Sequence, residues 1–331
     1  MATKKDMEEK KEIETKFFVL IGLIVFVALL GVFILFKTPT AVAPKKEESD
    51  DFKTFLPLIS KNGIAIINIQ GVIQFGQSSS FFGIHDYGAD HIISKIRQYT
   101  KEDKVKGIVL RINSPGGTIG AVQEIYEAVL AFRKKGKKVV TSMGDIAASG
   151  GYYIAAASDK IVANPGTITG SIGVIIMSAS FEKLFQKIGI SYRVFKSGRY
   201  KDILSSYRAM APDERAIIQS VVDDAYNQFY VAVKKGRKLS AAKVSQYGDG
   251  RIFTGRQGEK WGFIDQLGTL EDAIRLAGKI TGLGEDPYII REYYNPWQRI
   301  IGYMIQRKTL TEKIFELKDD NPVPVYYLYQ P

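Results

Sequence analysis

From Phe17 to Phe36 the chain runs 20 residues without a charge, between Lys16 and Lys37. At about 1.5 Å of rise per residue, a helix of that length crosses the roughly 30 Å hydrocarbon core of a bilayer. A helix packed on a soluble core would carry a polar stripe, and this stretch has none. It predicts a single transmembrane helix. Ala41-Val42-Ala43 has the look of a signal-peptide cleavage site, but Pro44 follows it. The apolar run also exceeds the ~7–15 residues of a secretory h-region, so an uncleaved anchor is expected. Residues 1–16 form a charged tail, and residues 37–60, with Pro39, Pro44 and Pro57, read as a linker. Lysines flank the span on both sides and leave its orientation open. The expectation is a single-pass protein of the cell membrane with its large following domain outside the cytoplasm.

Beyond the linker the pattern changes to strands alternating with helices. Strands are predicted at 63–73, 106–113, 137–142, 160–163, 171–177 and 191–195. Helices are predicted at 89–99, 119–135 and 181–188, and a long one after Pro212, where Asp213 and Glu214 favour a helix start. This alternation argues for an α/β domain with largely parallel pairing, spanning 61–290. In residues 291–331, Trp297, Ile300, Ile301, Met304 and Ile305 recur at helical spacing and predict an amphipathic helix. The end, from Pro322 to Pro331, reads as an extended tail.

Composition narrows the chemistry. The 331 residues are 45% hydrophobic, enough for a substantial core. The net charge of +11 is spread thinly, without a dense basic block, so it suits an anionic membrane surface better than nucleic acid. There is no cysteine, which removes thiolate nucleophiles, disulfides and cysteine zinc sites together. His85 and His91 are the two histidines. Their spacing is not that of a helical metal pair, and they read as polar residues of a surface loop. No metal or cofactor is expected.

Gly144-Asp145-Ile146-Ala147-Ala148-Ser149-Gly150-Gly151 sets one serine among very small residues. Alone, such a serine fits a helix cap or a packing detail. It also comes close to the nucleophile elbow of serine hydrolases. A Ser-His-Asp triad on that elbow needs a histidine after the serine, and none follows His91. A lysine of depressed pKa can serve as base instead. Asn113-Ser114-Pro115-Gly116-Gly117, between a strand and a helix, could present backbone N–H groups to an oxyanion, or be an ordinary turn.

These two stretches, together with Ala163–Gly173 and Lys196-Ser197-Gly198-Arg199-Tyr200-Lys201-Asp202, occur in the order found in the bacterial signal peptide peptidase A family. The chain resembles the short, single-repeat form of that family over residues 61 to 285. The resemblance implies the spiral ββα fold of the Clp protease/crotonase superfamily. It also implies Ser149 as nucleophile, Lys201 as general base with Lys196 as a rival in the same loop, and Ser171 as the residue that holds the base. The N–H groups of Gly116 and Gly150 would form the oxyanion hole. The implied substrates are signal peptides left in the membrane after preprotein processing. The implied assembly is a homo-oligomeric ring that can place nucleophile and base on adjacent subunits, and the sequence leaves open whether Ser149 and Lys201 pair within one chain or between two.

The alternatives are a membrane-associated Ser-Lys protease of the NfeD type, a crotonase-like acyl-CoA enzyme and a non-catalytic membrane scaffold. The lack of a C-terminal multi-span region speaks against the first. The apolar C-terminal end could also reach an active site and be trimmed there.

Overall fold

The computed structural model describes residues 61–76, 78–79, 85–86, 88–290 and 326–328. The expected membrane anchor, the linker and the amphipathic helix at 297–305 lie outside the described residues. Among those described, no helix is long and apolar enough to cross a membrane.

Strands β1 (Gly63–Ile73), β4 (Val105–Thr118), β5 (Lys138–Ala148) and β6 (Lys160–Ala163) form the middle of a nine-stranded sheet. β9 (Gln266–Leu267) and β10 (Ile289–Ile290) close its two edges, in the order β10-β1-β4-β5-β6-β9. Every pair along this path is parallel. Parallel neighbours need crossover connections, and helices lie in three of them. Helix α1 (Ala89–Lys101) links β1 to β4, α2 (Ile119–Lys134) links β4 to β5, and α3 (Gly150–Ala156) links β5 to β6. Strands β2 (Ser78–Ser79) and β3 (His85–Asp86) form a small separate ladder within the first of these crossovers.

The sheet is covered on both faces, as near-continuous apolar strands require. Ile67, Ile69, Ile108, Leu110 and Ile112 pack with Ile93 and Ile96 of α1 and Ile125 and Phe132 of α2. The alternate residues Ile64, Val109, Val140 and Val162 face the other way. They meet Ala273 and Ala277 of α8 (Leu270–Thr281). Small residues on α8 let that helix sit close against the sheet. The short α3 (Gly150–Ala156) is buried along its whole length.

The remaining elements form the C-terminal half. They are β7 (Ile168–Gly170), α4 (Glu182–Lys187), α5 (Pro212–Arg237), α6 (Ala241–Tyr247), β8 (Ile252–Thr254), α7 (Gly255–Trp261) and β11 (Tyr326–Leu328). β7 runs parallel to the end of β5 and antiparallel to β8. α5 starts at Pro212 as expected, with Glu214 reaching back to accept from the Ala211 N–H at 2.9 Å.

The fold class is the α/β sheet expected, and several element boundaries differ. The strand expected to stop at Asn113 continues as β4 to Thr118. Gly117 makes this possible, since a Cβ there would lie 1.8 Å from the Ile73 carbonyl oxygen. The strand expected at 171–177 does not form. Gly170 and Ser171 have φ of +80° and +49°, and these two left-handed residues turn the chain out of the ladder after β7. The strand expected at 191–195 is also absent: among the described residues no strand pairs with it, and Phe195 stands 96% exposed. His85 lies on β3 and His91 on α1, so neither is a plain loop residue. Part of the expected C-terminal tail forms a strand, β11, paired antiparallel to β4.

Candidate active site

β5 delivers Ser149. The strand ends at Ala148, α3 begins at Gly150, and Ser149 makes the turn between them with φ +50° and ψ −117°. Such a backbone strains an L-residue, at a cost of about 1–3 kcal/mol. The surroundings hold it in place. The Ser149 N–H donates to the Gly170 carbonyl at 2.8 Å, and the Ser149 carbonyl accepts from Tyr153 N–H at 2.9 Å. Thr167 and Thr169, both buried, donate from their hydroxyls to the Gly144 and Ala147 carbonyls at 2.6 Å each. Behind the turn, Tyr152 donates to the Phe263 carbonyl at 2.8 Å. Tyr153 packs on Phe229 of α5 with ring centroids 4.8 Å apart. Burial raises both tyrosines above the ordinary phenol value, Tyr153 to about 12, so both stay protonated and neutral.

The Ser149 hydroxyl is buried and has no hydrogen-bond partner. An unsatisfied buried hydroxyl costs about 1–3 kcal/mol. Strain and an orphan hydroxyl on one residue mark a site where stability yields to chemistry.

The oxyanion candidates flank this turn. Gly150 is the first residue of α3, so its N–H has no acceptor within the helix. Gly116 has φ +116°, a conformation open to glycine. Its N–H donates to the Ser114 hydroxyl at 3.1 Å, while that hydroxyl donates to the Gly71 carbonyl at 2.6 Å. Ser114 thus holds the Gly116 peptide in place. Asn113 ties the two loops together, accepting from Ile146 N–H at 3.1 Å.

Past Ser114, β4 loses β5 as a neighbour, because their last paired residues are Ser114 and Ala147. Gly116–Thr118 keeps β1 on one edge and offers the other. β11 takes that edge, pairing Leu328 with Gly116, Tyr327 with Gly117 and Tyr326 with Thr118, beside α2 and α3. An extended backbone can therefore lie along Gly116–Thr118. Beyond Gly170, a pocket of about 360 Å³ opens between Ser171–Ile175 and Val222 and Tyr226 of α5.

The lysines divide clearly. Lys196 donates to the Arg199 carbonyl at 2.8 Å and to Asp202 at 2.5 Å, which commits it as an ion-pair cation. Lys201 is exposed and makes no side-chain hydrogen bond or ion pair among the described residues. A base lysine is expected to be enclosed and held. Within one chain the structure brings Ser171 next to the Ser149 turn, through Gly170, but joins Lys201 to neither serine.

A cluster beside Lys201 is not evident in the sequence motifs. Asp202 accepts from Lys196, from Tyr207 at 3.0 Å and from Arg208 at 2.8 and 3.0 Å. Arg208 also binds both carboxylate oxygens of Glu214. Arg208 first, then Lys196, holds the Asp202 carboxyl well below the usual carboxylate range. Arg208 and the Ala211 N–H lower Glu214 to about 2. The spacing of three charged residues along an irregular segment gives no pattern from which such a fork could be foreseen. Among the described residues no group of His, Asp and Glu is placed to hold a metal ion.

The geometry of a strained serine elbow, glycine N–H groups and a strand edge that accepts an extended backbone suits acyl transfer to a peptide. Comparison with known proteins agrees. Residues 131–283 match peptidase family S49, and residues 76–167 match Clp protease. The chain is 43% identical over 230 residues to a Synechocystis sp. protein named as a protease, covering 69% of this chain and 83% of that one. It is 33% identical over 282 residues to a protein of Enterococcus faecium named as a signal peptide peptidase SppA, covering 81% of each. It is also 33% identical over 244 residues to Protease 4 of Haemophilus influenzae, covering 72% of this chain and 39% of that one. With its serine elbow, its Clp-type sheet and these relatives, the chain belongs to peptidase family S49, as a serine-type protease.

Proposed function

We propose that this S49 protease is a membrane-anchored endopeptidase in which Ser149 attacks the scissile carbonyl and Lys201 is the general base. The observation that carries the reading is the buried Ser149 hydroxyl without a partner, at a strained turn beside Gly116 and Gly150. Neutral Lys201 takes the hydroxyl proton as Ser149 bonds to the carbonyl carbon. The oxyanion is received by the Gly150 N–H and by the Gly116 N–H, which leaves Ser114. The protonated lysine then gives its proton to the departing amine, and water repeats the sequence on the acyl-enzyme. Ser171 holds the lysine ammonium between these steps.

The substrate is an extended peptide that pairs with Gly116–Thr118 on the edge β11 occupies, in place of β11. The pocket beyond Ser171 receives one of its side chains. The apolar span Phe17–Phe36 ties the protease to the membrane, where apolar signal peptides remain after preprotein processing.

The unpaired Ser149 and the exposed Lys201 fit a dyad completed between copies of the chain in a ring. The segment between β7 and α5 supports that assembly. It exposes Met177, Leu184, Ile188, Ile190, Tyr192 and Phe195, an apolar surface that an isolated chain leaves in water. Ser149→Ala and Lys201→Ala test the reading in the full-length protein with a signal-peptide substrate. Each is expected to abolish cleavage while the circular dichroism spectrum stays that of the wild type. Full activity in either variant would overturn the assignment.

A further inference from the structure

Lys201 sits on a run of tight turns. Its N–H donates to the Gly198 carbonyl, Ile203 N–H to Tyr200 and Ser205 N–H to Asp202, each at 3.1 Å. None of this fastens the run to the body of the protein. Arg208 does. One face of its guanidinium fork holds Asp202, the residue after Lys201, and the other holds Glu214 in the first turn of α5. Both carboxylates are nearly buried, with side chains 10% and 5% exposed. Glu214 is in turn pinned to the start of α5 by the Ala211 N–H. The turn that carries Lys201 is therefore tied to α5 from both sides, through Arg208 after it and through Asp213, which holds Arg199 and Tyr200, before it.

The charges of the cluster also cancel. Lys196 and Arg208 face Asp202 and Glu214, and Arg199 faces Asp213, which also accepts from Tyr200. Ser178 and Phe181, which bond to the carbonyls of Leu204 and Ser206, carry no charge. Lys201 is thus left beside a carboxylate whose charge is already compensated. An uncompensated Asp202 would favour the charged ammonium and so oppose a base.

We propose that Arg208 is a positioning residue for Lys201: it clasps Asp202 and Glu214 together, fixes the turn that carries Lys201 to α5 and neutralises the carboxylate next to it. The inference rests on Lys201 being the base. Its test is chosen to read Lys201 directly, without turnover. Arg208→Met leaves one surplus negative charge beside Lys201. Arg208→Met with Asp202→Asn removes that surplus, and Arg208→Lys keeps the charge but loses the fork.

The titration midpoint of the Lys201 ammonium is measured in full-length, lysine-labelled protein by NMR, with Lys201→Arg to assign the signal. In Arg208→Met the midpoint is expected to rise by about one pH unit. In the double variant it is expected to return, and in Arg208→Lys to stay at the wild-type value. The acid limb of the pH–rate profile is expected to follow the same order, with peptide cleavage about ten-fold slower on that limb for a one-unit rise. Arg208→Lys is expected to lower kcat at every pH without moving the limb. An unmoved midpoint in Arg208→Met would overturn the proposal, as would a raised one that persists in the double variant. If Lys201→Ala still cleaves peptides, the base assignment fails, and the midpoints still decide whether Arg208 neutralises Asp202.

Discussion

The Ser149 N–H donates to the Gly170 carbonyl at 2.8 Å, which locks the Ser149 turn to the residue immediately before Ser171. Gly170 and Ser171 are both left-handed, and so is Ser149, so three strained or special residues support one another at a single point. This contact explains why the chain leaves the β7 ladder where it does. It also places Ser171, proposed to hold the base, next to Ser149, the proposed nucleophile.

Strain and an unsatisfied hydroxyl at Ser149 predict a trade between stability and activity. Ser149→Gly relieves both, since glycine adopts φ +50° without a Cβ clash. Its unfolding free energy is expected to exceed that of the wild type by about 1–3 kcal/mol, with cleavage lost. Chemical denaturation checks this. A variant less stable than the wild type would mean that Ser149 is satisfied in the working protein.

The pairing of β11 with Gly116–Thr118 predicts competition between the tail and substrate. Removal of residues 325–331 is expected to lower the apparent KM for an added peptide several-fold with little change in kcat. Mass spectrometry of long-incubated wild type is expected to show trimming of the C-terminus that Ser149→Ala lacks. An unchanged KM and an intact C-terminus would show that β11 is a fixed part of the sheet.

Phe229 joins α5 to α3, the helix that follows Ser149. It is fully buried and packs on Tyr153. Phe229→Ala is expected to cost about 3–5 kcal/mol, read from the urea midpoint. Because α3 loses its backing, cleavage is expected to fall before the protein unfolds.

Glu214 predicts an acid-sensitive α5 junction. Its folded-state value of about 2 lies below the ordinary 4.5, so the folded state favours the carboxylate. The stabilisation from its bonds to Arg208 and Ala211 is complete above pH 4.5 and is lost as the pH falls towards 2. Amide exchange in residues 196–214, taken relative to the intrinsic rate at each pH, is expected to quicken across that window. In Glu214→Gln it is expected to be fast already at neutral pH.

Much of the site could be read from residue types alone. The small residues around Ser149, the glycines at 116 and 117 and the absence of any histidine after His91 leave few chemistries open. The parallel core followed from runs such as Ile108–Ile112, whose burial on both faces erases alternation. The segment 171–211 was not readable in this way. Its apolar residues, Phe195 above all, look like strand and helix faces, yet in one chain they pack on little. The Arg208 fork joins residues six apart in both directions across irregular backbone, a geometry no period encodes. The open edge of Gly116–Thr118 depends on where β5 departs, which is a property of the sheet.

The most direct test of a Ser149–Lys201 dyad shared between copies is to mix Ser149→Ala and Lys201→Ala full-length chains, let them reassemble, and measure cleavage of a signal peptide. With random assembly about one site in four pairs an intact serine with an intact lysine, so cleavage is expected to recover to about a quarter of the wild-type rate. No recovery at any mixing ratio would contradict a dyad that crosses the subunit boundary, and wild-type activity in either parent variant would contradict the dyad itself.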